Sequence, residues 1–260
     1  MRLRYVTFTG VDHQTDVQEL VKIQREYPFV EFGILLSTDW SSNNERFPDP
    51  AILKSLSGWG LNLSAHLCGD LARFALNGEF IPAIDLCKGY FHLFRRCQLN
   101  CHISEGKKSL IRKFCGVQDC EHFILQMHTP DLCRNFLKGK YNGHIDCLLD
   151  ASRGRGINTP IEVVTSPGTL IGYAGGITPD NVEGKLRLLL KHDSNDEFWI
   201  DMETGVRTNE LFDLEKVRSV LETVTRLLKE YDFYPDSPTL KTSEALDFSE
   251  LKKKYEKGKP

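Results

Sequence analysis

The chain has 260 residues, of which 40% are hydrophobic and 27% charged, with a formal net charge of -3 and a sequence pI of about 6.3. This is too apolar for a disordered chain and supplies enough core for a folded domain. The lack of a basic excess argues against nucleic acid as a partner, and no apolar run reaches the length of a membrane span.

Short apolar runs alternate with helix-like stretches along the chain. RYVTF (4–8) precedes an amphipathic stretch over 14–27, and VEFGILLS (31–38) precedes a loop and a short helix from Pro50. LNLSAHL (61–67) leads into DLARFAL, CQLNCHI (97–103) into KKSLIRKF, and HFILQMH (122–128) into DLCRNFL. HIDCLLD (144–150) opens a glycine-rich loop. TLIGYAGG (169–176) precedes NVEGKLRLLLKH, and FWIDMETG (198–205) precedes LEKVRSVLETVTRLLKEY (214–231). In that last stretch Leu214, Val217, Val220, Leu221, Val224, Leu227 and Leu228 share one helical face. Several of the strands are continuous apolar runs, as parallel strands buried on both faces should be. A doubly wound open sheet fits this alternation almost as well. The count of eight favours closure into a single (β/α)8 TIM barrel, whose usual size is about 250 residues.

The barrel is expected over residues 1–233. A polar C-terminal extension is expected over 234–260, with one short helix at 243–256. The opening MRLRYVTFTG reads as a first strand and not as a leader, so a cytoplasmic protein is expected. Eight cysteines, at 68, 87, 97, 101, 115, 120, 133 and 147, then read as reduced thiols. They form no paired C-x2-C framework, and neither a metal nor a cofactor is expected. The expected state is a monomer or a homodimer.

Two glycine loops close the pattern. YAGGITPDNV (173–182) follows strand seven, and DMETGVRT (201–208) ends strand eight. Gly175 and Gly176 let backbone amides approach an anion closely, and Thr178-Pro179-Asp180 reads as the cap and first turn of the next helix. Thr204-Gly205 marks the second loop. In barrels of this type the loops after the last two strands commonly hold a phosphate, which points to a phosphorylated small molecule.

AGGITPDNV, then WIDMETGVRT and FDLEKVRSVL, resembles phosphoribosylanthranilate isomerase over residues 144–222, more faintly over 1–54 and poorly over 55–143. The resemblance implies a ribulose-phosphate binding barrel and an aldose–ketose isomerisation by acid and base, the Amadori rearrangement of a phosphorylated aminoaldose. It implies Asp150, in LLDASRGRG, as general acid, with Gly154 and Gly156 as loop glycines of the phosphate site. It further implies Arg46, Gln98 and Asp201 as substrate contacts.

The departures concern the base. The family has Cys-Gly at the end of strand one, where this chain has Thr9-Gly10, and a threonine hydroxyl is too weak an acid to serve. Strand eight carries Glu203-Thr204 in place of Ser-Ser, and Arg207 in place of Glu. A replacement base has to come from Asp12, His66, Cys68, His102, His128, Asp201 or Glu203. His66 and Cys68 share a strand face and make either a Cys–His pair at the mouth or ordinary core residues. His128 is either a catalytic group or a structural one. Asp201 is either a working carboxylate or an anchor for loop amides, and Arg207 is an anion contact or a solvated loop residue. Three functions stay open: an isomerase of a phosphorylated sugar or sugar-amine, a barrel lyase or transferase with a phosphate-bearing substrate, and a barrel that binds a phosphometabolite without turnover.

Overall fold

A computed structural model describes residues 1–38, 46–77, 79–101, 122–138, 145–166 and 168–233. Eight parallel strands close into a barrel in chain order: β1 (Arg2–Thr9), β2 (Val30–Leu36), β3 (Leu63–Leu67), β4 (Phe94–Leu99), β5 (His122–Met127), β6 (Ile145–Leu149), β7 (Ile171–Tyr173) and β8 (Glu197–Met202). Closure is made by β1 on β8, from Arg2 beside Glu197 to Phe8 beside Met202. Outside lie α1 (Val17–Glu26), α2 (Ile52–Leu56), α3 (Gly69–Leu76), α4 (Ile81–Leu86), α5 (Pro130–Leu137), α6 (Val182–Leu190) and α7 (Leu214–Glu230). Arg207–Thr208 and Leu211–Phe212 pair as a small antiparallel ribbon before α7.

Local chemistry explains the helix starts. Asp16 caps α1 by accepting from the amide of Gln18, Thr129 caps α5 through Leu132, and Asp213 caps α7 through Glu215 and Lys216. The apolar stripe of α7 buries Val217, Val220, Leu221, Val224, Leu227 and Leu228, while Leu214 is only partly covered. Most of the hydrophobic core lies between barrel and helices.

Several element boundaries differ from the sequence expectation. β4 begins at Phe94 instead of residue 97, and two helices, α3 and α4, follow β3. β7 is three residues long because Gly175 and Gly176 take positive φ and turn the chain out of the sheet. Among the described residues no helix joins β6 to β7. The connection carries Gly154, Gly156 and Pro160 and is held by Tyr173, whose hydroxyl bonds both the amide and the carbonyl of Val164 at 3.0 and 2.9 Å. The helix expected from KKSLIRKF, the 243–256 helix and the whole 234–260 extension lie outside the described residues, as do His102, Cys115 and Cys120.

The barrel interior mixes one apolar layer with charge. Ile124, Leu148 and Trp199 pack together inside the barrel. Beneath them Arg96, 4% exposed, bonds Glu31 at 3.0 Å, approaches Asp146 at 3.7 Å, and stacks over the rings of Trp199 and Tyr5 at 4.2 and 4.9 Å. Thr7 gives Glu31 a second hydrogen bond at 2.9 Å. Gly172 leaves room for this layer, since a Cβ there would penetrate the Trp199 ring and press on Leu148 at 2.7 Å. Its φ is not left-handed, so Gly172→Ala tests space alone. Urea unfolding should show a loss of about 1–3 kcal/mol with the m-value unchanged. A wild-type midpoint would contradict this account of the interior.

Candidate active site

The C-terminal ends of the strands surround a cavity of about 290 Å³. Inward-facing residues alternate along each strand, so Thr9, His66, Gln98, Gln126 and Asp201 converge on its floor from five different strands. Asp150 lines it from the turn after β6, and Arg46, Cys68 and Glu203 from the loops above. One end is walled by Gly154, Gly156, Gly175, Gly176, Thr204 and Gly205. Of the candidate residues named from the sequence, all border this one space except His128, Asp12 and Arg207, with His102 outside the described residues. The His128 ring nitrogen instead lies 3.4 Å from the Asp150 carbonyl, beside the turn it supports.

Thr9 sits at the end of β1, and its hydroxyl donates to Asp201 Oδ1 at 2.9 Å. Asp201 is 7% exposed, and burial pushes its carboxyl up to about 7, opposed by the Thr9 hydrogen bond and reinforced by the charges of Glu203, Glu31 and Asp150. Gly33 makes this packing feasible, because a Cβ there would stand 2.5 Å from Thr9 Oγ1 and 2.8 Å from His66 Nε2.

His66 and Cys68 do not form a reacting pair. His66 Nε2 lies 3.1 Å from Ser64 Oγ and 3.5 Å from Thr9 Oγ1. Burial, aided by the Arg96 charge, pulls the ring down to about 3, so it stays neutral at physiological pH. The Cys68 thiol points to the His66 carbonyl and receives a bond from Asn100 Nδ2 at 3.3 Å. Burial pushes that thiol up to about 11, which leaves it protonated and a weak nucleophile.

Asp150 is held by four donors. Ser152 N and Oγ reach Oδ1 at 3.0 and 2.6 Å, while Gln126 Nε2 and Gly154 N reach Oδ2 at 2.7 and 2.6 Å. These bonds fold residues 150–154 into a tight turn beside the glycine wall. The same turn carries Arg153, left-handed at φ 58° and bordering the cavity. Arg153 was missed in the sequence; its only signal was a cation directly before the loop glycine Gly154.

The glycine wall is packed backbone against backbone. A Cβ on Gly176 would meet Asn158 N at 2.4 Å and Ile157 C at 2.5 Å, and one on Gly205 would strike the Ile177 carbonyl. Lys185 from α6 grips the wall from behind, donating to the Thr159 carbonyl at 2.6 Å and the Gly175 carbonyl at 3.3 Å. Thr178-Pro179-Asp180 is not the first turn of α6. Asn181 occupies the cap position, and its side chain bonds Thr178 N at 3.0 Å and the Gly176 carbonyl at 2.8 Å. The cradle is therefore made by the loops, and no residue of α6 borders the cavity.

At the rim, Arg46 and Glu203 form a two-point ion pair, Nε to Oε1 at 2.7 Å and Nη2 to Oε2 at 3.2 Å. Gln98 donates to Asn100 Oδ1 at 2.7 Å, and its own carbonyl oxygen is buried with no hydrogen-bond partner among the described residues. Arg207 and Asp12 stand outside the cavity. Arg207 is buried and bonds the carbonyls of Gly10, at 3.0 Å, and Glu210, so it is neither a solvated residue nor an anion contact. Asp12 accepts from Gln14 N, Thr15 Oγ1 and, at 2.7 Å, Phe212 N, anchoring the loop after β1 to the ribbon before α7. Among the described residues all six cysteines are free thiols, no group of three or more His, Cys, Asp or Glu is placed to hold a metal ion, and no helix is long and apolar enough to cross a membrane.

No protein-family model and no curated protein matches the chain. Solved structures do. The chain is similar to N-(5'-phosphoribosyl)anthranilate isomerase from Pyrococcus furiosus, with 15% identity and a TM-score of 0.51 over 85% of this chain and 98% of that one. It is similar to phosphoribosyl anthranilate isomerase from Thermococcus kodakaraensis, with 14% identity and a TM-score of 0.51 over 85% and 98%. A truncated 3-deoxy-D-arabino-heptulosonate 7-phosphate synthase from Thermotoga maritima gives 11% identity and a TM-score of 0.52 over 89% of each chain. At such identities the likeness carries the barrel fold and nothing finer.

The raised Asp201 carboxyl makes stability depend on pH. The unfolded chain ionises this group near pH 4, whereas the native state does so near pH 7, so native stability is lost across that window. Asp201→Asn removes the loss. The difference in unfolding free energy, variant minus wild type, should climb by about 1.4 kcal/mol per pH unit between pH 4 and 7 and then level off. A difference that does not vary with pH in urea titrations would refute the shifted carboxyl.

Proposed function

We propose that this protein is an acid–base isomerase of a phosphorylated sugar or sugar-amine, similar in reaction to phosphoribosylanthranilate isomerase, with Asp201 as the general base. The observation that carries this reading is a carboxyl raised to about 7 on the floor of a cavity that Asp150 shares and whose far wall is made of glycines. A base titrating near the working pH is the most effective kind. The names of the similar barrels refer to phosphorylated compounds, which agrees with a phosphate handle although the likeness itself speaks for the fold alone.

In the proposed reaction the glycine wall, Thr204 and Arg153 receive the phosphate, and this fixes the sugar over the floor. Asp150 gives a proton to the ring oxygen as the C–O bond opens, leaving an iminium at C1. Asp201 then takes the proton from C2, and the resulting enolamine relaxes to the ketose. Thr9 holds Asp201 Oδ1, which leaves Oδ2 for the substrate. Base catalysis thus passes from residue 9, where the resembling family carries a cysteine, to the carboxylate that Thr9 touches. Gln98 and the rim pair contact the remainder of the substrate.

The four donors on Asp150 favour a second reading, in which Asp150 only builds the phosphate turn and the barrel binds its ligand without turnover. A thermal-shift panel of inorganic phosphate, ribose 5-phosphate and phosphoribosylanthranilate, followed by turnover of whichever sugar phosphate stabilises the protein, tests both. Asp201→Asn should lower kcat by about 10²–10⁴ while leaving the ligand-induced shift within a degree or so of wild type. Asp150→Asn should lower kcat as much and also reduce the shift, because its amide nitrogen cannot accept from the donors that fold the turn. If phosphorylated sugars give no shift, the phosphate site is wrong. If turnover survives Asp201→Asn, the base is wrong. Binding without any turnover would leave the second reading standing.

Glycine substitutions make poor probes of this wall. A side chain on Gly176 or Gly205 collides with backbone, so both fold and binding would suffer. Arg153→Ala is the cleaner change, because residue 153 is exposed. It should weaken ribose 5-phosphate by about tenfold without altering the melting temperature of the free protein, as read by calorimetric titration. Unchanged affinity would remove Arg153 from the phosphate site.

A further inference from the structure

We propose that the Arg46–Glu203 pair is a charge filter that rejects ligands bearing a carboxylate at the end away from the phosphate and admits those bearing an uncharged or amine-containing group there. The inference rests on the phosphate-handle reading, since that handle sets which end of the ligand meets the pair.

A guanidinium edge is the natural receptor for a carboxylate, offering two parallel N–H donors. Here that edge is already filled. Glu203 takes Arg46 Nε at 2.7 Å and Nη2 at 3.2 Å, from a loop reached by a different strand. An incoming carboxylate would have to displace Glu203 and would then share one cation with it. The displaced glutamate would remain in a cavity that also holds Asp150 and Asp201, so like charges would crowd one wall with Arg46 as their partner. An uncharged group meets no such cost. Phe47 borders the same cavity, and its ring centroid stands 5.8 Å from the Arg46 guanidinium carbon, giving that end a flat apolar wall. An amine is favoured further by the surrounding carboxylates. Specificity is thus built by repulsion, through a glutamate whose charge Arg46 matches until the ligand brings a second carboxylate.

Two stable analogues separate the outcomes: 1-phenylamino-1-deoxyribitol 5-phosphate and its ortho-carboxyphenyl counterpart, titrated calorimetrically into the wild-type chain with ribose 5-phosphate as reference. Wild type should bind the phenyl compound about tenfold or more tighter than the carboxyphenyl one. Glu203→Ser should abolish or reverse that ratio, each affinity being referred to that of ribose 5-phosphate in the same variant. Glu203→Gln keeps the size of the side chain and should shift the ratio in the same direction, which covers the case in which the serine variant folds poorly. Equal or tighter wild-type binding of the carboxyphenyl compound, or a ratio untouched by both substitutions, would overturn the filter while leaving the phosphate site intact. If none of the three compounds binds wild type, the phosphate-handle reading falls and takes the filter with it.

Discussion

The backbone ladder between the first and last strands is the constraint on which the mouth of this barrel depends. It runs from Arg2 beside Glu197 to Phe8 beside Met202 and delivers Thr9 to within 2.9 Å of Asp201. Side chains alternate across a strand, so a slip of one residue would turn Asp201 out of the barrel and replace it with Met202. The ladder also brings the loop after β1 against the ribbon before α7, where Arg207 and Phe212 bond Gly10 and Asp12. Gly10 accommodates the contact, since its φ of 108° is left-handed and a Cβ there would press into the Arg207 guanidinium. Closure, floor and rim are therefore one mechanical unit.

The interior divides its charges into two tiers with different degrees of compensation. In the lower tier, Glu31 receives both Arg96 and Thr7, and the guanidinium is stacked between aromatic faces. Such buried ion pairs add little net stability, because desolvation offsets most of their attraction, but removing one member would strand the other. In the upper tier, Asp201 has Thr9 as its hydrogen-bond donor and three carboxylates within electrostatic reach. A buried carboxyl compensated this weakly is held near neutrality at the expense of stability, a condition typical of groups that move protons. The apolar layer of Ile124, Leu148 and Trp199 separates the tiers in space, while Glu31 still acts on Asp201 and Arg96 on His66 through their charges.

The βα rhythm made the fold legible because it depends on composition summed over whole segments: eight apolar runs, each long enough to be a strand, with a cleanly striped final helix. The glycine wall was legible for a related reason, since paired glycines after a strand mark a turn with few alternatives. What stayed hidden depends on which residues meet across the barrel. His66 and Cys68 share a strand face, as their spacing required, yet the thiol turns to a backbone carbonyl and the ring is buried neutral. No local pattern reveals that burial. Arg207 found its partner at Gly10, 197 positions away, and Asp12 bonded Phe212 at a separation of 200. Glu203 gave no sign that Arg46, 157 residues upstream, would occupy it. The absent helix between β6 and β7 was foreshadowed by glycines and a proline, but the turn that replaces it is organised by Asp150, whose side chain bonds only the three-dimensional arrangement brings together.

Under the proposed function, Thr9, at the position where the resembling family carries a cysteine, bears on how a proton-transfer site tolerates change. A barrel directs alternate residues of every strand toward one axis, so a group lost from one strand end leaves its neighbours within reach of the same substrate atom. Thr9 cannot act as a base, but its hydroxyl can orient one, and the carboxylate it orients belongs to the adjacent strand in the closed sheet. Under the proposed function, the chemistry has moved by one strand while the axis and the glycine wall have stayed where they were. The same geometry explains why Glu203 could turn a cation at the rim from a receptor into half of a closed pair. Asp201 and Glu203 both sit at the end of β8, and both act through residues of the first two βα units. The end of β8 is thus the place where acid–base function and ligand selection would be set together.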